Sequence, residues 1–356
     1  MENNTIVKSG HGDEISPCLH LIILVVSVCV IILGISANCF VVISFCKMKH
    51  LRTVTNYFIF QLSIADIFLL MSLAIWMYFS QLSMNEEDKY TTRVILASIE
   101  VFSSSASLAS LACVSVDRCL AVTVPLRYQS ITTHSRALVV IISVWIYSII
   151  TFIASYLRDV ITNELYEKVF IGCLFSLTFL FPIIITTWSY FQIFRAVWRQ
   201  VHHVVKHTTS NRRMCTVMKE FRMAVNVLVA IVPTYLLWGS FWLATVTEVL
   251  LERHPEYPKV INWLLGNTPH FAAALNPFIY IAMTRDFRVF FLRLVSCKKL
   301  PHDLTFDVGS KRKCSLSMRS SLISTRSSSV STRSCSITHG IPINDMVISE
   351  DFVKMF

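Results

Sequence analysis

A few ionisable residues lie inside long apolar stretches of the sequence, where they could hold a charge or bind one. They are Asp66, Glu100, the adjacent Asp117 and Arg118, and His270. Ionisable side chains are costly in an apolar setting, so each is a functional candidate. A carboxylate without a partner would protonate there, whereas a histidine or a cationic ligand would keep it charged. We therefore interpret Glu100 as a candidate site for a positively charged partner.

The spacing of these residues places some of them on one helix face. Glu100 and Arg118 are 18 residues apart, which is about five helical turns and about 27 Å along the axis. Ser104 falls on or near the same stripe. Glu220 and Trp238 show the same separation. A helix with polar groups at both ends of one face can link an outer pocket to an inner surface.

Seven long apolar stretches must position these residues. They run over 19–46, 56–80, 94–121, 137–157, 169–194, 223–250 and 260–283. Each reaches the roughly 20 residues that a helix needs to cross a bilayer, and lipid leaves the backbone no other way to satisfy its hydrogen bonds. The chain is 54% apolar and 15% charged, against about 25% charged in soluble domains. We predict an all-α membrane protein, a bundle of seven transmembrane helices.

Basic residues gather in alternate connections between the stretches. The segments after the first, third and fifth stretches carry Lys47, Arg127 and Arg195 among others, and the intervening segments are mixed or acidic. Positive segments stay in the cytoplasm. We therefore predict a multi-pass plasma-membrane protein with its N-terminus outside and its C-terminus inside. The net charge of +10 then reflects this topology and contact with anionic membrane lipid, and we expect no nucleic acid partner.

Other functions of membrane bundles are disfavoured by what the stretches lack. A pump needs a relay of acids along its pore, and little beyond Asp66 lies in mid-membrane. A membrane hydrolase would need a cluster of His and Asp at one face, and no metal-ligand spacing is seen. We expect no enzyme activity, no metal and no cofactor. A membrane transporter remains a less favoured alternative.

Short motifs, one or more on each stretch and in the right order, resemble those of the rhodopsin-like family of G-protein-coupled receptors. They are Gly34-Ile35-Ser36-Ala37-Asn38, Leu62-Ser63-Ile64-Ala65-Asp66, Asp117-Arg118-Cys119, Trp145, Pro182 with Tyr190, Lys219-Glu220 with Trp238, Asn276-Pro277-Phe278-Ile279-Tyr280 and Arg285-Asp286-Phe287-Arg288. The resemblance covers about residues 19–297. It implies a receptor that activates a heterotrimeric G protein.

The resemblance implies a switch at the inner end of the bundle. At rest, Arg118 should be held by Asp117 and across to Glu220. On activation the sixth span swings outward, and Arg118 turns toward Tyr190 and Tyr280. The implied partners are the G protein and, on the serine-rich tail, kinases and arrestin.

The resemblance also divides the chain into four parts. Residues 1–18 form an extracellular N-terminus with a glycosylation candidate at Asn3, and residues 19–283 form the receptor domain. Residues 284–297 resemble the family's membrane-lying eighth helix, which Cys297 could anchor by palmitoylation. Residues 298–356 form a serine-rich, basic tail that is too polar to fold alone.

The resemblance places a ligand pocket at the outer end. The candidate ligand-binding residues are Glu100, Ser104, Trp238, Thr245 and His270. Glu100 stands where amine receptors carry an aspartate for the ligand ammonium. His270 stands where opsins carry the retinal lysine, so we expect no retinal Schiff base. In the family fold the positions of Glu100 and His270 face each other, so Glu100 either binds a cation or pairs with His270. A small cationic molecule and a peptide both remain open.

A second set of polar residues, Asp66, Ser107 and Asn276, resembles the family's sodium pocket. Ala272 and Ala273 stand where polar groups of that pocket are often found. They argue against a bound sodium ion.

The sequence departs from the family pattern at the disulfide and at the sixth span. Arg93 stands where most members carry the cysteine that ties the third span to the second outer loop, and that loop, about 158–168, is short and has no cysteine. Ser240 replaces the proline two residues after Trp238. The chain thus looks most like the melanocortin, lysophospholipid, cannabinoid and adenosine branch, or like amine receptors. A receptor with atypical or no G-protein coupling, either a decoy or a constitutively active one, is the alternative.

Overall fold

The computed structural model describes residues 17–83, 85–161, 163–206, 211–249 and 258–283, and every regular element in these ranges is helical. The long helices are α1 (Pro17–Lys47), α2 (Val54–Ser80), α3 (Glu86–Thr123), α5 (His134–Ile161), α6 (Glu164–Leu174), α7 (Phe181–Lys206), α8 (Asn211–Val249) and α9 (Lys259–Met283). The remaining pieces are a 3-10 turn (Lys49–Leu51), the short α4 (Tyr128–Ile131) and a π-helical segment (Phe175–Leu180) that joins α6 to α7.

The predicted apolar stretches correspond to these helices. Within the described residues, five helices are long and apolar enough to cross a membrane: α1, α2, α3, α5 and the continuous run Glu164–Arg199. Helices α8 and α9 cover the sixth and seventh stretches. The helices extend beyond the apolar stretches at most ends, because polar caps rather than apolar residues start them. The side chains of Thr53, Asn85 and Asn163 accept backbone N–H groups at the starts of α2, α3 and α6.

Helix α3 lies at the centre of the bundle and packs against α2, α5, α7 and α8. Its leucines Leu108 and Leu111 are fully buried, together with Leu62 and Leu69 of α2. Helix α5 instead leaves many apolar side chains exposed, as a helix that faces lipid should. The central position of α3 matters because this helix carries both Glu100 and Arg118.

Three helices approach one another closely at Gly34. A Cβ added there would lie 2.6 Å from Leu70 Cδ1 and 2.9 Å from Ala274 Cβ, so only glycine lets α1 sit this close to α2 and α9. One turn later, Asn38 Nδ2 donates to the carbonyls of Gly34 and Ala273, at 3.0 and 3.2 Å. The Gly-Asn motif thus fixes α1 against α9.

The predicted outer loop over about 158–168 is wrong, because the helices on both sides run further. Helix α5 continues through Ile161 and α6 begins at Glu164. The Asn163 cap starts α6 at once, and the Tyr166 hydroxyl donates to a carbonyl of α5 at 3.3 Å. Only residues 162 and 163 join the two helices. The stretches 284–297 and 298–356, with Cys297, lie outside the described residues, as does Asn3.

Candidate functional site

The first candidate site lies between α2, α3 and α9, toward the end of the bundle where α3 begins, called here the Glu100 end. Glu100 Oε1 lies 3.5 Å from His270 Nε2 and 3.4 Å from Ser72 Oγ. Charge-assisted hydrogen bonds are usually about 2.7–2.9 Å, so both contacts are weak. The single Ser72 hydroxyl proton already goes to the Leu69 carbonyl at 2.7 Å.

The Glu100 carboxylate is therefore poorly satisfied. Its second oxygen makes no hydrogen bond with any residue that the structure describes. The Glu100 side chain is 38% exposed, whereas that of His270 is 6% exposed. In the described parts of the chain, neither ring nitrogen of His270 has a hydrogen-bond partner. This arrangement can accept a cation at Glu100 without breaking a strong bond.

Aromatic side chains of α8 and of the π segment pack against one another, and no described contact joins them to Glu100 or His270. Trp238 and Trp242 are both 3% exposed, and Phe241 lies edge-on to them, with ring centroids 6.0 and 5.7 Å away. Phe175 packs on Trp242 at 5.4 Å. A buried indole N–H normally has an acceptor, yet Trp242 Nε1 has none among the described residues. The sequence reasoning missed Trp242, although its spacing of one turn from Trp238 was a signal.

The other two predicted ligand residues are placed differently. Ser104 is half-buried on α3, one turn from Glu100. Thr245 uses its hydroxyl on its own helix and donates to the Phe241 carbonyl at 3.0 Å. No described contact brings Thr245 to Glu100 or His270.

A buried polar cluster in the middle of the bundle joins three helices through Asp66. Ser107 Oγ donates to Asp66 Oδ1 and Asn276 Nδ2 donates to Asp66 Oδ2, both at 2.8 Å. Thr234 Oγ1 of α8 donates to Asn276 Oδ1, also at 2.8 Å. The sequence grouped the first three residues through the resemblance, but no motif pointed to Thr234. The hydrogen bonds thus connect α3, α2, α9 and α8 in series.

The Asp66 cluster does not fit a sodium ion. Hard cations take oxygen ligands, and here Asn276 turns its nitrogen, not its oxygen, toward Asp66. Ala272 and Ala273 are buried nearby on α9 and bring no side-chain oxygen. Within the described ranges, no group of three or more His, Cys, Asp or Glu side chains could hold a metal.

The second candidate site lies where α3 ends, called here the Arg118 end. Arg118 Nη2 and Nε donate to Asp117 Oδ2 at 2.6 and 3.2 Å. Thr55 Oγ1 of α2 donates to the same oxygen and accepts from Arg118 Nη2. The Tyr128 hydroxyl donates to Asp117 Oδ1 at 2.8 Å. Both carboxylate oxygens of Asp117 are thus engaged, and the Arg118 side chain is only 11% exposed.

Thr55 and Tyr128 were not predicted as site residues. Tyr128 lies ten residues after Arg118 in the sequence. It is the first residue of the short α4, which turns it back onto Asp117. Burial, and then the negative charge of Asp117, raise the pKa of Tyr128 above its ordinary value. The hydroxyl therefore stays protonated and keeps donating to Asp117 at neutral pH.

The remaining predicted switch residues are only partly described. Tyr190 is half-buried on α7 and packs against Val122 and Ile193. Helix α7 packs directly against α3, which carries Arg118. Glu220 and Tyr280 lie in helices α8 and α9, but their side chains fall outside the described part of the structure.

Two contacts link helices at the Glu100 end, where most family members would have a disulfide. The Arg93 guanidinium lies over the Trp76 ring of α2, 5.8 Å from the centroid. The Tyr90 hydroxyl of α3 donates to the Asp159 carbonyl of α5 at 2.9 Å. Helix α3 is thus tied to α2 and α5 by side chains.

Comparisons with known proteins agree with this architecture. The family model described as 7 transmembrane receptor (rhodopsin family) matches residues 37–280. The chain is 26% identical over 308 residues to the octopamine receptor beta-2R of Chilo suppressalis, covering 75% of this chain and 78% of that receptor. It is 27% identical over 343 residues to the histamine H2 receptor of Rattus norvegicus, covering 90% of each. It is 26% identical over 309 residues to the human histamine H2 receptor, covering 81% and 84%.

The family model confirms the predicted class, a rhodopsin-like receptor and not an enzyme, and the names of the relatives agree with the amine-receptor option. The family model spans more than half of the chain and includes the Asp66, Glu100 and Arg118 sites. The chain is a multi-pass membrane protein and belongs to the rhodopsin family of seven-transmembrane receptors.

Proposed function

We propose that this receptor binds an extracellular ligand carrying an ammonium group, with Glu100 as its counter-ion. The observation that carries the proposal is the poorly satisfied Glu100 carboxylate. One of its oxygens has contacts of 3.4 and 3.5 Å, and the side chain is 38% exposed. A charge-assisted bond from a ligand is stronger than either contact it would replace. His270 lines the same pocket, and Trp242 offers an unused N–H to an acceptor on the ligand.

The relatives suggest which ligands to test first. Histamine and octopamine each carry one ammonium group, and both relatives are named for them. A peptide is the second candidate class, because only residues 162 and 163 join α5 to α6 at this end. So short a connection leaves little loop to cover the pocket, and a larger ligand could enter.

Ligand binding should activate a heterotrimeric G protein through outward movement of α8. Trp238 belongs to the aromatic cluster of α8, and Thr234 precedes it by one turn on the same helix. Thr234 is hydrogen-bonded to Asn276, and Asn276 to Asp66. A shift of Trp238 would therefore be transmitted to the polar cluster and on to Arg118. This path from Trp238 to Arg118 would not require a sodium ion. It would act on the predicted switch residues, which are Asp117, Arg118, Tyr190, Glu220 and Tyr280.

The proposal places the Glu100 end outside the cell and the Arg118 end inside. The basic connections at the Arg118 end support this orientation. It makes Asn3 available for glycosylation, and Cys297 and the serine-rich tail available for palmitoylation, kinases and arrestin. Tags on both termini that are accessible from the same side of intact cells would contradict the orientation.

The replacement Glu100→Gln tests the counter-ion directly. It keeps the side-chain shape and removes the charge, so the affinity for an amine ligand should fall by more than about tenfold, since a hydrogen bond to a charged group contributes roughly 1.5–3 kcal/mol. Radioligand competition with histamine, octopamine and related amines measures the change. Glu87→Gln, an exposed acid on the same helix, is the matched control and should leave the affinity unchanged.

Equal affinity of the Glu100→Gln receptor for an amine that binds the unmodified receptor would reject the counter-ion role. Binding that persists without any G-protein response would instead favour the alternative of a decoy. Parallel G-protein and arrestin reporters separate these outcomes.

A further inference from the structure

A small cavity of about 100 Å³ opens between α2 and α3, beyond Glu100 toward the outer end of the bundle. It is lined by Trp76, Phe79, Ser80, Lys89, Thr92 and Arg93. We propose that this cavity binds a carboxylate group of the same ligand whose ammonium group is held by Glu100. The inference rests on the proposed function and adds to it that the ligand carries two opposite charges. We call this cavity the Arg93 subsite.

Arg93 has donors to offer a carboxylate. Its guanidinium carbon lies 5.8 Å from the centroid of the Trp76 ring, a cation–π contact that uses none of the N–H donors. Those donors match the two oxygens of a carboxylate. Arg93 is exposed and has no ion pair with another described residue. Trp76 therefore borders a cation for which the described residues supply no anion.

Lys89 adds a second positive charge to the same cavity. Its ammonium group lies 3.4 Å from Glu86, whose side chain is 90% exposed. An exposed pair of this kind contributes little free energy, so Lys89 can turn to a ligand at small cost. Glu87 and Asp88 are also exposed but do not line the cavity. The lining itself carries two cations and no acid.

Helix geometry puts the Arg93 subsite and Glu100 along one seam. On α3, Arg93 precedes Glu100 by seven residues, which is two turns and about 10 Å along the axis. On α2, Ser72 contacts Glu100, and Trp76 follows Ser72 by one turn and makes the cation–π contact with Arg93. The same two helix faces thus present an acid in the pocket and a base above it. A ligand lying along the seam would meet both.

This seam predicts selectivity that a simple amine site lacks. A ligand with an ammonium group and a carboxylate, separated by several ångströms, gains a second charge-assisted contact. An amine of equal length without the acid gains none and leaves Arg93 unpaired. The natural ligand should accordingly be an amino acid derivative or a short peptide rather than a monoamine.

Matched pairs of compounds test the subsite on the purified full-length receptor. The probes are ω-amino carboxylates of four to eight carbons and the n-alkylamines of the same carbon count, with dissociation constants measured by calorimetry. An extended chain of eight carbons spans about 10 Å. We expect at least one chain length at which the acid binds about tenfold more tightly than its matched amine. The advantage should disappear in Arg93→Gln and shrink in Lys89→Gln and in Arg93→Lys.

Lys168→Gln is the control, because it removes an equal charge at the same end of the bundle without lining the cavity, and the advantage should persist there. Lys89 is exposed enough that its replacement should not disturb folding, which thermal unfolding checks. No advantage at any length, with amine binding still dependent on Glu100, would overturn the subsite and leave the proposed function intact. An advantage that needs Arg93 but not Glu100 would support the subsite and reject the counter-ion.

A lipid headgroup phosphate is another source of an anion at this height. Repeating the titrations in phosphatidylcholine nanodiscs separates the two sources. An advantage that is present in detergent and absent in nanodiscs would assign the cavity to lipid and overturn the inference. An equal advantage in both supports a ligand carboxylate.

Discussion

The two ends of α3 satisfy their charges in opposite ways. At the Arg118 end, Asp117 accepts hydrogen bonds from Arg118, Thr55 and Tyr128, with Arg118 and Tyr128 bonds as short as 2.6 and 2.8 Å. At the Glu100 end, the carboxylate has only contacts of 3.4 and 3.5 Å. The Arg118 end is a closed hydrogen-bond network, whereas the Glu100 end holds a carboxylate with only weak contacts.

This difference suits a receptor that is held at rest and activated by a ligand. A satisfied network costs free energy to open, because each buried group that loses its partner keeps the cost of desolvation. A poorly satisfied carboxylate gains free energy when a cation arrives. Ligand binding can thus supply free energy at one end of α3 that offsets the opening of the network at the other.

The largest effect should come from removing the basic residue, Arg118, from the closed network. Arg118→Ala should abolish G-protein activation while the receptor still reaches the cell surface, because it removes the group that we propose turns toward the G protein. A cyclic-AMP or calcium reporter, with surface labelling alongside, measures both. Unchanged signalling would mean that Arg118 is not the switch.

A smaller effect should come from loosening the network without removing it. Tyr128→Phe deletes one hydrogen bond to Asp117, worth about 1 kcal/mol, and should raise ligand-independent signalling roughly fivefold. Basal reporter activity per surface receptor is the measurement. Tyr156→Phe, a tyrosine exposed on α5, is the matched control. Basal activity that falls or stays level in Tyr128→Phe would show that this bond does not hold the resting state.

The smallest effect should come from Ser72, the weak contact of Glu100. Ser72→Ala should change amine affinity by less than about twofold, because the Ser72 proton is committed to the Leu69 carbonyl and contributes less to Glu100 than the ~1 kcal/mol of a typical hydrogen bond. Radioligand competition compares it with the unmodified receptor. A loss as large as that expected for Glu100→Gln would mean that Glu100 is well satisfied after all, and the contrast between the two ends would fail.

Some site residues could be read from the chain and others could not. Asp66, Ser107 and Asn276 were grouped correctly in space through motifs that resemble a known family. Thr55 and Thr234 were not predicted, because a threonine within a helix usually bonds back to a carbonyl of its own helix. What makes these two different is the side chain that a neighbouring helix happens to present.

The loop between α5 and α6 shows a similar limit. Charged residues such as Arg158 and Glu164 suggested an aqueous loop, yet both lie within helices. The Asn163 side chain caps the start of α6, so this helix begins before its apolar residues. Apolar length marks where a helix crosses lipid, whereas capping decides where the helix ends.

The sequence by itself determined that seven apolar stretches exist, that α3 carries Glu100 and Arg118 on one face, and that the chain resembles a receptor family. These are local properties, because hydrophobic length and helical period depend only on neighbouring residues. The tertiary structure alone decided that Arg93 makes a cation–π contact with Trp76 and that Asp117 is enclosed by partners from elsewhere. Such contacts depend on how each helix is rotated and tilted, which is set by packing against its neighbours rather than by lipid.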